Sequence, residues 1–490
     1  MSGRRPSLAL LSLRCIDPFY RQVPAGLPDV VLLEIFDFYF EEEQNVDNVD
    51  YWHTLVHVCR RWRNVVFSSP RRLHLHLLCK PGRTVTEMLD IWPELPIIVL
   101  YGDTSYSVKD ADNVIAALKL KGSVSGIDLT VIPRSAKWEN IAAVMQDTFP
   151  MLEDLSLRSY YEDTAVISDS FLGGSAPRLR VLFLRDILFP ALPNLLSSAT
   201  DLVDLWLWDI PHSGYISPEA MITCISVLTR LKSLSLQFRS PRSRPDRVRR
   251  FLHPLTRTLL PALTYLGFRG VTEYLEVLVA RIDVPLLERT DIMFFNQLVF
   301  DISQFPNFVC RTEKFTVLDQ ADVVLYSDSI NIKFPPKGGA VDFIELCLGI
   351  SCRKLDWQLS ALAQVCNLCF PILPRLGCLS LCDDKHIPPR WQDDMEDTQW
   401  LELLRPFSTA KDLYLSKRVA IRIGSALQGL SDEQVTEVLP ALQDIFIDDP
   451  QPSGLVEEGF HGFVNARRRQ VSSPPVAIHR WVRKKEGEEE

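Results

Sequence analysis

LVDLWL, at residues 202–207, is one copy of a six-residue phrase with leucine at its first, fourth and sixth positions. Its last three letters alternate in side-chain character, as expected of a short strand with one buried face. The first leucine then enters the core from the preceding turn. Four further copies keep this spacing, one of them with phenylalanine in the last position: LEDLSL at 152–157, LRVLFL at 179–184, LKSLSL at 231–236 and LTYLGF at 263–268.

The five copies start 27, 23, 29 and 32 residues apart, and helix-like pieces such as ENIAAVMQDTF and LPNLLSSA lie between phrases. One strand and one helix in each repeat of this length are typical of a leucine-rich-repeat solenoid, so we predict an α/β solenoid. An ordinary α/β sheet with leucine-rich strands is the alternative, and the repeat is hard to follow between residues 286 and 340. Looser copies of the phrase are RLHLHL at 72–77, GIDLTV at 126–131, FIELCL at 343–348, LGCLSL at 376–381, KDLYLS at 411–416 and LQDIFI at 442–447.

Ahead of the repeats, residues 24–70 predict a small helical hairpin. Leu27-Pro28-Asp29 begins the first helix, because proline suits the first turn and aspartate complements the positive helix end. Apolar residues then recur at helical spacing, and a second helix is predicted near residues 51–67. A hairpin of this size cannot bury its own apolar faces. Its apolar stripe therefore needs a partner, either the rest of this chain or another protein.

This hairpin resembles an F-box, in particular the F-box-like domain common in mushroom-forming fungi. The resemblance rests on an L-P-D start, an E-I-F sequence and a closing V-C-R-R-W run at residues 58–62. The spacer between Phe38 and Leu55 is longer than in that family and carries three successive glutamates. Most of the remaining chain resembles the divergent leucine-rich repeats that follow the box in the same family.

By this resemblance, the box docks on the small Skp-type adaptor of a cullin–RING ubiquitin ligase, and the repeats hold an unidentified protein target. Helices that lie in a hydrophobic groove are recognised through residues at i, i+3 and i+4. Tryptophan and phenylalanine are the expected anchors, because a large apolar area concentrates binding energy. For Ile35 and Cys59, packing inside the chain is favoured over contact with an adaptor. The predicted adaptor-binding residues are Leu27, Pro28, Leu32, Ile35, Phe36, Leu55, Val58 and Trp62.

The 202–207 phrase contains Trp206, and Trp208 follows two residues later, so the two side chains share one face of a strand. If that face is exposed, two adjacent tryptophans form an unusual surface patch suited to a partner. If it is buried, they fill the core, and the sequence leaves this choice open. Arg158 and Arg185 hold outward positions after neighbouring phrases. The candidate target-binding residues are Trp206, Trp208, Arg158 and Arg185.

The 490 residues carry a formal net charge of −9, and 47% of them are apolar. This mildly acidic balance argues against a nucleic-acid partner. No stretch approaches the length of a membrane span, and nothing resembles a secretory leader. We therefore expect no membrane partner and an intracellular protein with reduced cysteines, located in the cytoplasm, the nucleus or both. Basic runs at 467–469 and near the end leave a nuclear-import signal open.

The sequence contains no G-x-S-x-G, no phosphate-binding loop and no H-E-x-x-H. Four cysteines with one short pair suggest a tetrahedral zinc site. However, Cys378 and Cys382 fit the alternation of a repeat phrase, and Cys366 and Cys369 lie in an apolar segment where cysteine acts as a small hydrophobe. We therefore predict that the protein is not an enzyme and has no catalytic residue, cofactor or metal site.

The predicted organisation is a loose arm (1–23), an F-box-like domain (24–70), an irregular leucine-rich-repeat solenoid (71–450) and a polar, partly disordered tail (451–490). The predicted function is a non-catalytic substrate-recognition adaptor of an SCF-type ubiquitin ligase. One alternative is a leucine-rich-repeat scaffold or recognition protein whose degenerate box no longer docks. The other is an enzyme with a site between residues 286 and 410.

Overall fold

The structure is a computed structural model. The predicted arm at 1–23, most of the acidic spacer at 43–50 and residues 482–490 of the predicted tail lie outside the residues that it describes. The described residues are 27–42, 52–69, 73, 75–79, 84–91, 94–101, 108–160, 163–245, 256–312, 314–315, 319–335, 345–369, 376–384, 397–431, 434–448, 454–470 and 474–481.

The described part of the chain contains fourteen α-helices. None of them is both long enough and apolar enough to cross a lipid bilayer. Their bounds are α1 (Asp29–Glu42), α2 (Trp52–Val58), α3 (Arg60–Ser68), α4 (Val85–Ile91), α5 (Val108–Leu118), α6 (Ala136–Val144), α7 (Leu192–Ser198), α8 (Pro218–Ile225), α9 (Thr272–Ala280), α10 (Gln304–Arg311), α11 (Leu355–Cys369), α12 (Asp397–Leu404), α13 (Lys417–Gln428) and α14 (Gly454–Arg469).

The same residues contain twenty strands. Their bounds are β1 (Leu77–Cys79), β2 (Ile97–Tyr101), β3 (Val124–Thr130), β4 (Asp154–Arg158), β5 (Ala165–Val166), β6 (Val181–Arg185), β7 (Ile187–Leu188), β8 (Asp204–Ile210), β9 (Ser233–Phe238), β10 (Thr258–Leu259), β11 (Tyr265–Gly270), β12 (Ile282–Asp283), β13 (Arg289–Phe295), β14 (Gln320–Leu325), β15 (Ser329–Phe334), β16 (Glu345–Ser351), β17 (Cys378–Asp383), β18 (Asp412–Ser416), β19 (Asp444–Asp448) and β20 (Ala477–Trp481).

Each of the five clear leucine-rich phrases forms a strand. In β8, Leu205 and Leu207 are buried while Trp206 and Trp208 are half-buried. Leu205 lies opposite equivalent leucines of β6 and β9, so the leucines align across neighbouring strands. Because successive side chains of a strand point to opposite faces, this register lines one face of the sheet with leucine. That face lies in the core.

Sixteen strands form one large sheet in the order β1-β2-β3-β4-β6-β8-β9-β11-β13-β16-β15-β14-β17-β18-β19-β20. Neighbouring strands are parallel, except that β15 runs antiparallel to both β14 and β16. Strand order follows chain order up to β13 and again from β17. The hairpin β14–β15 accounts for the region in which the repeat is hard to follow. The fold is therefore mixed α/β with a large, mostly parallel sheet, as the sequence predicted at this level.

The helices contact one another along the chain, for example α8 with α9, α9 with α10 and α12 with α13. Their buried side chains and the strand leucines belong to one hydrophobic core. Most residues that alternate with the leucines keep partial solvent exposure among the described residues. We call the side of the sheet that carries them, including Phe183, Trp206 and Tyr414, the open face.

The sheet continues past residue 450, where the sequence predicted a polar tail. β20 pairs in parallel with β19 over its whole length, and α14 packs against α13. The two helices approach closely where Gly424 and Gly459 face each other. The AIHRW sequence of β20 contains no leucine phrase, which is why the repeat pattern stops one strand early.

Candidate functional site

Helices α1, α2 and α3 form a small bundle ahead of the sheet. The rings of Phe36 and Trp62 meet edge to face with centroids 4.9 Å apart, which joins α1 to α3. The Arg61 guanidinium pairs with the Asp29 carboxylate at 2.8 Å and also donates to the Leu27 carbonyl. These contacts hold the start of α1 against α3, so the bundle is one packed unit.

The bundle is attached to the sheet by its second and third helices. Trp52 is buried, and its indole N–H donates to the His76 carbonyl at 3.1 Å, just before β1. Val56 and Val66 are fully buried and belong to the same hydrophobic core as the first strands. The core therefore runs from the sheet into the bundle without a break.

Three of the predicted adaptor-binding residues are buried. Leu32 is 2% exposed, Phe36 is 1% exposed, and Leu55 is also buried. These side chains hold the bundle on the core and present no surface to an adaptor, which corrects the predicted docking surface. The predicted residues that keep some exposure are Leu27, Pro28, Ile35, Val58 and Trp62.

A different apolar stripe of α1 lies in solvent. Val31, Ile35 and Phe38 follow one another at i, i+4 and i+7, so they lie along one side of the helix. Ile35 is 46% exposed and Phe38 is 62% exposed. We call these three residues the exposed stripe. Val58, the last residue of α2, is a further exposed apolar side chain of the bundle.

Ile35 and Cys59 are both exposed, although the sequence favoured internal packing for each. Cys59 precedes α3, and its Sγ accepts the backbone N–H of Trp62 at 3.5 Å, so it caps that helix. Sequence reasoning also does not single out Val31 or Phe38 for docking. Their spacing is a usable signal, but α1 has apolar residues on several sides, and spacing alone cannot rank the stripes.

Trp206 and Trp208 lie on the open face of β8, which answers the choice that the sequence left open. Their rings stack with centroids 5.5 Å apart and planes 21° apart. Phe183 of β6 contacts both rings, at centroid distances of 6.1 Å and 5.1 Å. The Trp208 indole N–H donates to the Ser235 hydroxyl at 3.0 Å, which fixes the ring against β9.

Both candidate arginines join this cluster. The Arg158 guanidinium lies over the Phe183 ring at 5.4 Å, and that of Arg185 lies over the exposed Tyr160 ring at 5.1 Å. A cation over a ring face is attracted by the ring quadrupole. The structure therefore brings all four candidate target-binding residues together. We define the aromatic–arginine patch as Tyr160, Phe183, Trp206, Trp208, Arg158 and Arg185.

Each arginine of the patch is also paired with a carboxylate. Arg158 pairs with Asp128 at 2.8 Å, and Arg185 pairs with Asp209 at 2.9 Å. Asp209 directly follows Trp208 and has a φ of 51°, in the left-handed region that aspartate tolerates better than most residues. The charges of the patch are therefore balanced within the chain, and its rings are the groups left for a partner.

The cysteines considered for zinc lie in two elements. Cys366 is buried in α11, and burial raises the pKa of its thiol. Cys378 and Cys382 share a face of β17, and burial, followed by nearby carboxylates, raises the pKa of Cys378 to about 12. A raised pKa disfavours the thiolate, which is the form that binds metal. The Cys369 side chain lies outside the description, and no described group of three or more His, Cys, Asp or Glu could hold a metal ion.

A polar depression of about 270 Å³ lies on the open face, partly within the 286–410 region. Arg269 stacks over the Phe295 ring at 5.7 Å. The Ser329 hydroxyl donates to its neighbour Asp328 at 3.4 Å, which is too long for a nucleophile and its activating base. The depression therefore receives no catalytic assignment. Its lining residues are Gln237, Phe268, Arg269, Asp291, Met293, Asp328, Ser329 and Ser351.

No protein-family model matches the chain, and no curated protein shows significant similarity to it. The geometry of the bundle and of the open face therefore carries the functional proposal.

Proposed function

We propose that the chain is a non-catalytic substrate-recognition adaptor of an SCF-type cullin–RING ubiquitin ligase. In this role the bundle α1–α3 acts as an F-box that docks on the Skp-type adaptor, and the open face of the sheet binds a protein target. The observation that carries the proposal is the exposed stripe on α1, a helix whose neighbouring side is packed into the core. Such a role places the protein inside the cell, in the cytoplasm or the nucleus.

Leaving the exposed stripe in water is unfavourable. Full burial of a valine, isoleucine or phenylalanine side chain contributes about 1.5–3 kcal/mol relative to exposure. Val31, Ile35 and Phe38 are 40%, 46% and 62% exposed, so a hydrophobic groove that covers them gains roughly half of this contribution from each, less the entropic cost of association. Grooves of this kind recognise helices through apolar residues at i, i+4 and i+7, which is the spacing of the stripe.

We propose in addition that the large sheet is a leucine-rich-repeat solenoid. Its support is the order of the sheet, in which most strands are parallel and follow chain order with helices between many of them. Aligned leucines at the same register of neighbouring strands agree with a repeated unit. Repeat architectures of this type offer a broad strand face to a protein partner.

The aromatic–arginine patch is the part of the open face that we assign to target binding. Tryptophan, tyrosine and arginine are the residues most enriched in binding hot spots. Trp206 and Trp208 already stack on each other, and Phe183 meets the Trp208 ring edge to face, so little side-chain freedom is lost when a partner covers them. The patch is therefore pre-organised for contact with an apolar or aromatic side chain of a target.

Substitution of Ile35→Ser together with Phe38→Ser tests adaptor docking. Both side chains are exposed, so the substitutions should leave the unfolding midpoint nearly unchanged. Loss of two apolar anchors should weaken capture of the Skp-type adaptor by about tenfold or more. The measurement is co-purification of the full chain with the adaptor, with thermal unfolding recorded in parallel.

The matched control is Leu298→Ser with Val299→Ser, which removes two exposed apolar side chains far from the bundle in sequence. It should capture the adaptor as the unchanged protein does. Undiminished capture by a folded Ile35→Ser, Phe38→Ser variant contradicts the proposal. If the unchanged protein captures no adaptor at all, the alternative of a scaffold with a degenerate box is favoured instead.

A further inference from the structure

Four rings line the open face of the last three strands. Tyr414 and Phe446 stack with centroids 4.4 Å apart and planes 9° apart, and Phe446 stacks on His479 at 5.0 Å. These three residues occupy one register position across β18, β19 and β20. Trp481 meets Tyr414 edge to face at 5.1 Å. We call these four residues the aromatic row, and each of them keeps solvent exposure.

Two carboxylates precede the aromatic row on the same face. Asp412 and Asp444 lie opposite each other in register, two residues before Tyr414 and Phe446. Asp444 accepts a hydrogen bond from His479 Nε2 at 2.7 Å. The Asp412 carboxylate has no hydrogen bond or ion pair with any described residue, and no described lysine or arginine forms an ion pair with Asp444.

Burial and neighbouring carboxylates together shift the pKa values of the titratable groups at this position. Burial and then Asp444 raise the pKa of Asp412 against a smaller opposing effect of Lys411, and burial followed by Cys378, Asp412 and Asp444 raises that of Tyr414. The pKa of Cys378 reaches about 12, first through burial and then through Asp322, Asp412 and a further aspartate. Burial, the larger cause, disfavours a charge of either sign, whereas the contribution of the neighbouring carboxylates favours a positive charge placed beside them.

The aromatic–arginine patch has no such carboxylates without a cationic partner. Its arginines are neutralised by Asp128 and Asp209 at 2.8 Å and 2.9 Å. The two aromatic clusters of the open face therefore differ in the charge that they present, although both expose stacked rings. A partner segment that binds the aromatic row therefore has to bring positive charge to Asp412 and Asp444.

We propose that the aromatic row, together with Asp412 and Asp444, binds a basic segment of a protein partner. Phe446 is stacked on both of its faces, so lysine or arginine side chains of that segment lie along the solvent-exposed rims of the rings. Their aliphatic stems cover the apolar ring area, and their N–H groups donate to the two carboxylates. Nucleic acid is disfavoured at the same place, because its phosphates meet a negative field.

This inference rests on the proposed use of the open face for target binding, and it specifies the chemistry of the target at β18–β20. It does not require that the bundle docks on an adaptor. The two proposals therefore fail independently, which the experiment below exploits.

The test uses the full chain and a short fluorescein-labelled peptide of alternating lysine, arginine and glycine. Fluorescence anisotropy should show binding of this peptide and none of a counterpart with glutamate at each basic position. Asp412→Asn with Asp444→Asn should weaken the binding by about tenfold. Tyr414→Ala with Phe446→Ala removes the apolar ring area that the lysine and arginine stems cover and should weaken it by about fivefold.

The matched control is Glu139→Gln with Asp169→Asn. Both residues are exposed, and the control variant has the same net charge as the Asp412→Asn, Asp444→Asn variant. It should bind the basic peptide as the unchanged protein does. Equal weakening in the two variants shows that only the overall charge of −9 attracts the peptide, and it overturns the proposal.

Two further outcomes are decisive. Residues 482–490 include Arg483, Lys484 and Lys485. If their deletion strengthens peptide binding by about tenfold, the chain's own end competes for the site and the proposed partner is wrong. The Ile35→Ser, Phe38→Ser variant should bind the peptide normally, which separates this proposal from adaptor docking. No binding to the unchanged protein also overturns the inference.

Discussion

Arg467 is a buried cation that joins α14 to the residues before β19. Its side chain projects from α14, is fully buried, and donates to three backbone carbonyls before β19. The distances are 2.9 Å to Val438, 2.6 Å to Leu439 and 3.0 Å to Pro440. The planar guanidinium satisfies several acceptors at once, which a lysine ammonium cannot do with the same geometry.

The burial of Arg467 bears on the basic run at 467–469. An import receptor has to contact basic side chains directly, and the folded chain exposes only Arg468 and Arg469 of this run. Arg467, the first arginine of the run, therefore has a structural role and is not accessible to an import receptor. The RKK sequence near the end lies outside the described residues, so a nuclear-import role for it stays a prediction.

Replacing Arg467 with lysine should lower the free energy of unfolding by about 2–4 kcal/mol, because buried carbonyls lose their donors. Urea unfolding of the full chain measures the change. Arg468→Lys, at the exposed neighbouring position, is the control and should shift stability by no more than about 0.5 kcal/mol. Equal effects at the two positions would show that the carbonyl contacts contribute nothing.

Single residues of the candidate site are the part that the sequence predicts least well. Strand alternation correctly placed Trp206 and Trp208 on one face, because the side-chain period of a strand is two. In α1, apolar residues occupy several sides, so the period of a helix cannot decide between Phe36 and Ile35. Only the packing of α1 on α3 and the core makes Phe36 the buried one and Ile35 the exposed one.

At the scale of elements, helices α13 and α14 cross in close contact. A Cβ atom at residue 459 would lie 3.3 Å from the Cα of Gly424, whereas one at Gly462 would meet nothing within 4 Å. Backbone atoms cannot move aside as the end of a flexible side chain can. The close approach of the two helices therefore depends on glycine at one position of α14 and not at the other.

We expect Gly459→Ala to lower the free energy of unfolding by about 1–2 kcal/mol through overpacking at the crossing. Gly462→Ala should raise it by up to about 1 kcal/mol, because alanine has the better helix propensity and open space around it. Thermal or urea unfolding of the two variants provides the comparison. A gain in stability at both positions is incompatible with the helix contact described.

Elements with a strong repeat signal were predictable, and those without it were not. The leucine phrases marked the strands because burial of one face requires apolar residues at a fixed spacing. The hairpin β14–β15 and the last strand, β20, lack that phrase. Their places in the sheet follow from backbone pairing with β16 and β19, which one sequence does not encode as a local pattern.

At the scale of the whole molecule, buried thiols lower the free energy of unfolding as the solution becomes alkaline. Burial is the largest cause that raises the pKa of Cys79 from an ordinary 9.0 to about 11, and those of Cys347 and Cys378 to about 12. The pKa of Cys366 is also raised by burial. Such thiols stay protonated in the fold while they ionise in the unfolded chain. The contribution of these thiols to the free energy of unfolding is therefore complete below about pH 9 and is lost as the pH rises through the folded-state pKa.

Cys366→Ala should make the free energy of unfolding fall less steeply with pH, by about 1.4 kcal/mol per pH unit in the window above pH 9. Urea unfolding in reductant at about pH 8 and about pH 10.5 measures this slope. Cys310→Ala, which removes an exposed thiol, is the control. If the two variants have the same slope, the burial of Cys366 does not control its ionisation.

The hairpin β14–β15 has a consequence for synthesis on the ribosome. Up to β13, each new strand of the large sheet pairs with the strand made before it. The next neighbour of β13 is β16, and the hairpin emerges in between without a pairing partner on β13. Nascent chains that halt between residues 295 and 345 therefore present β13 as an unpaired parallel edge. We expect chaperones to bind the nascent chain most at this stage, because such an edge is prone to aggregation.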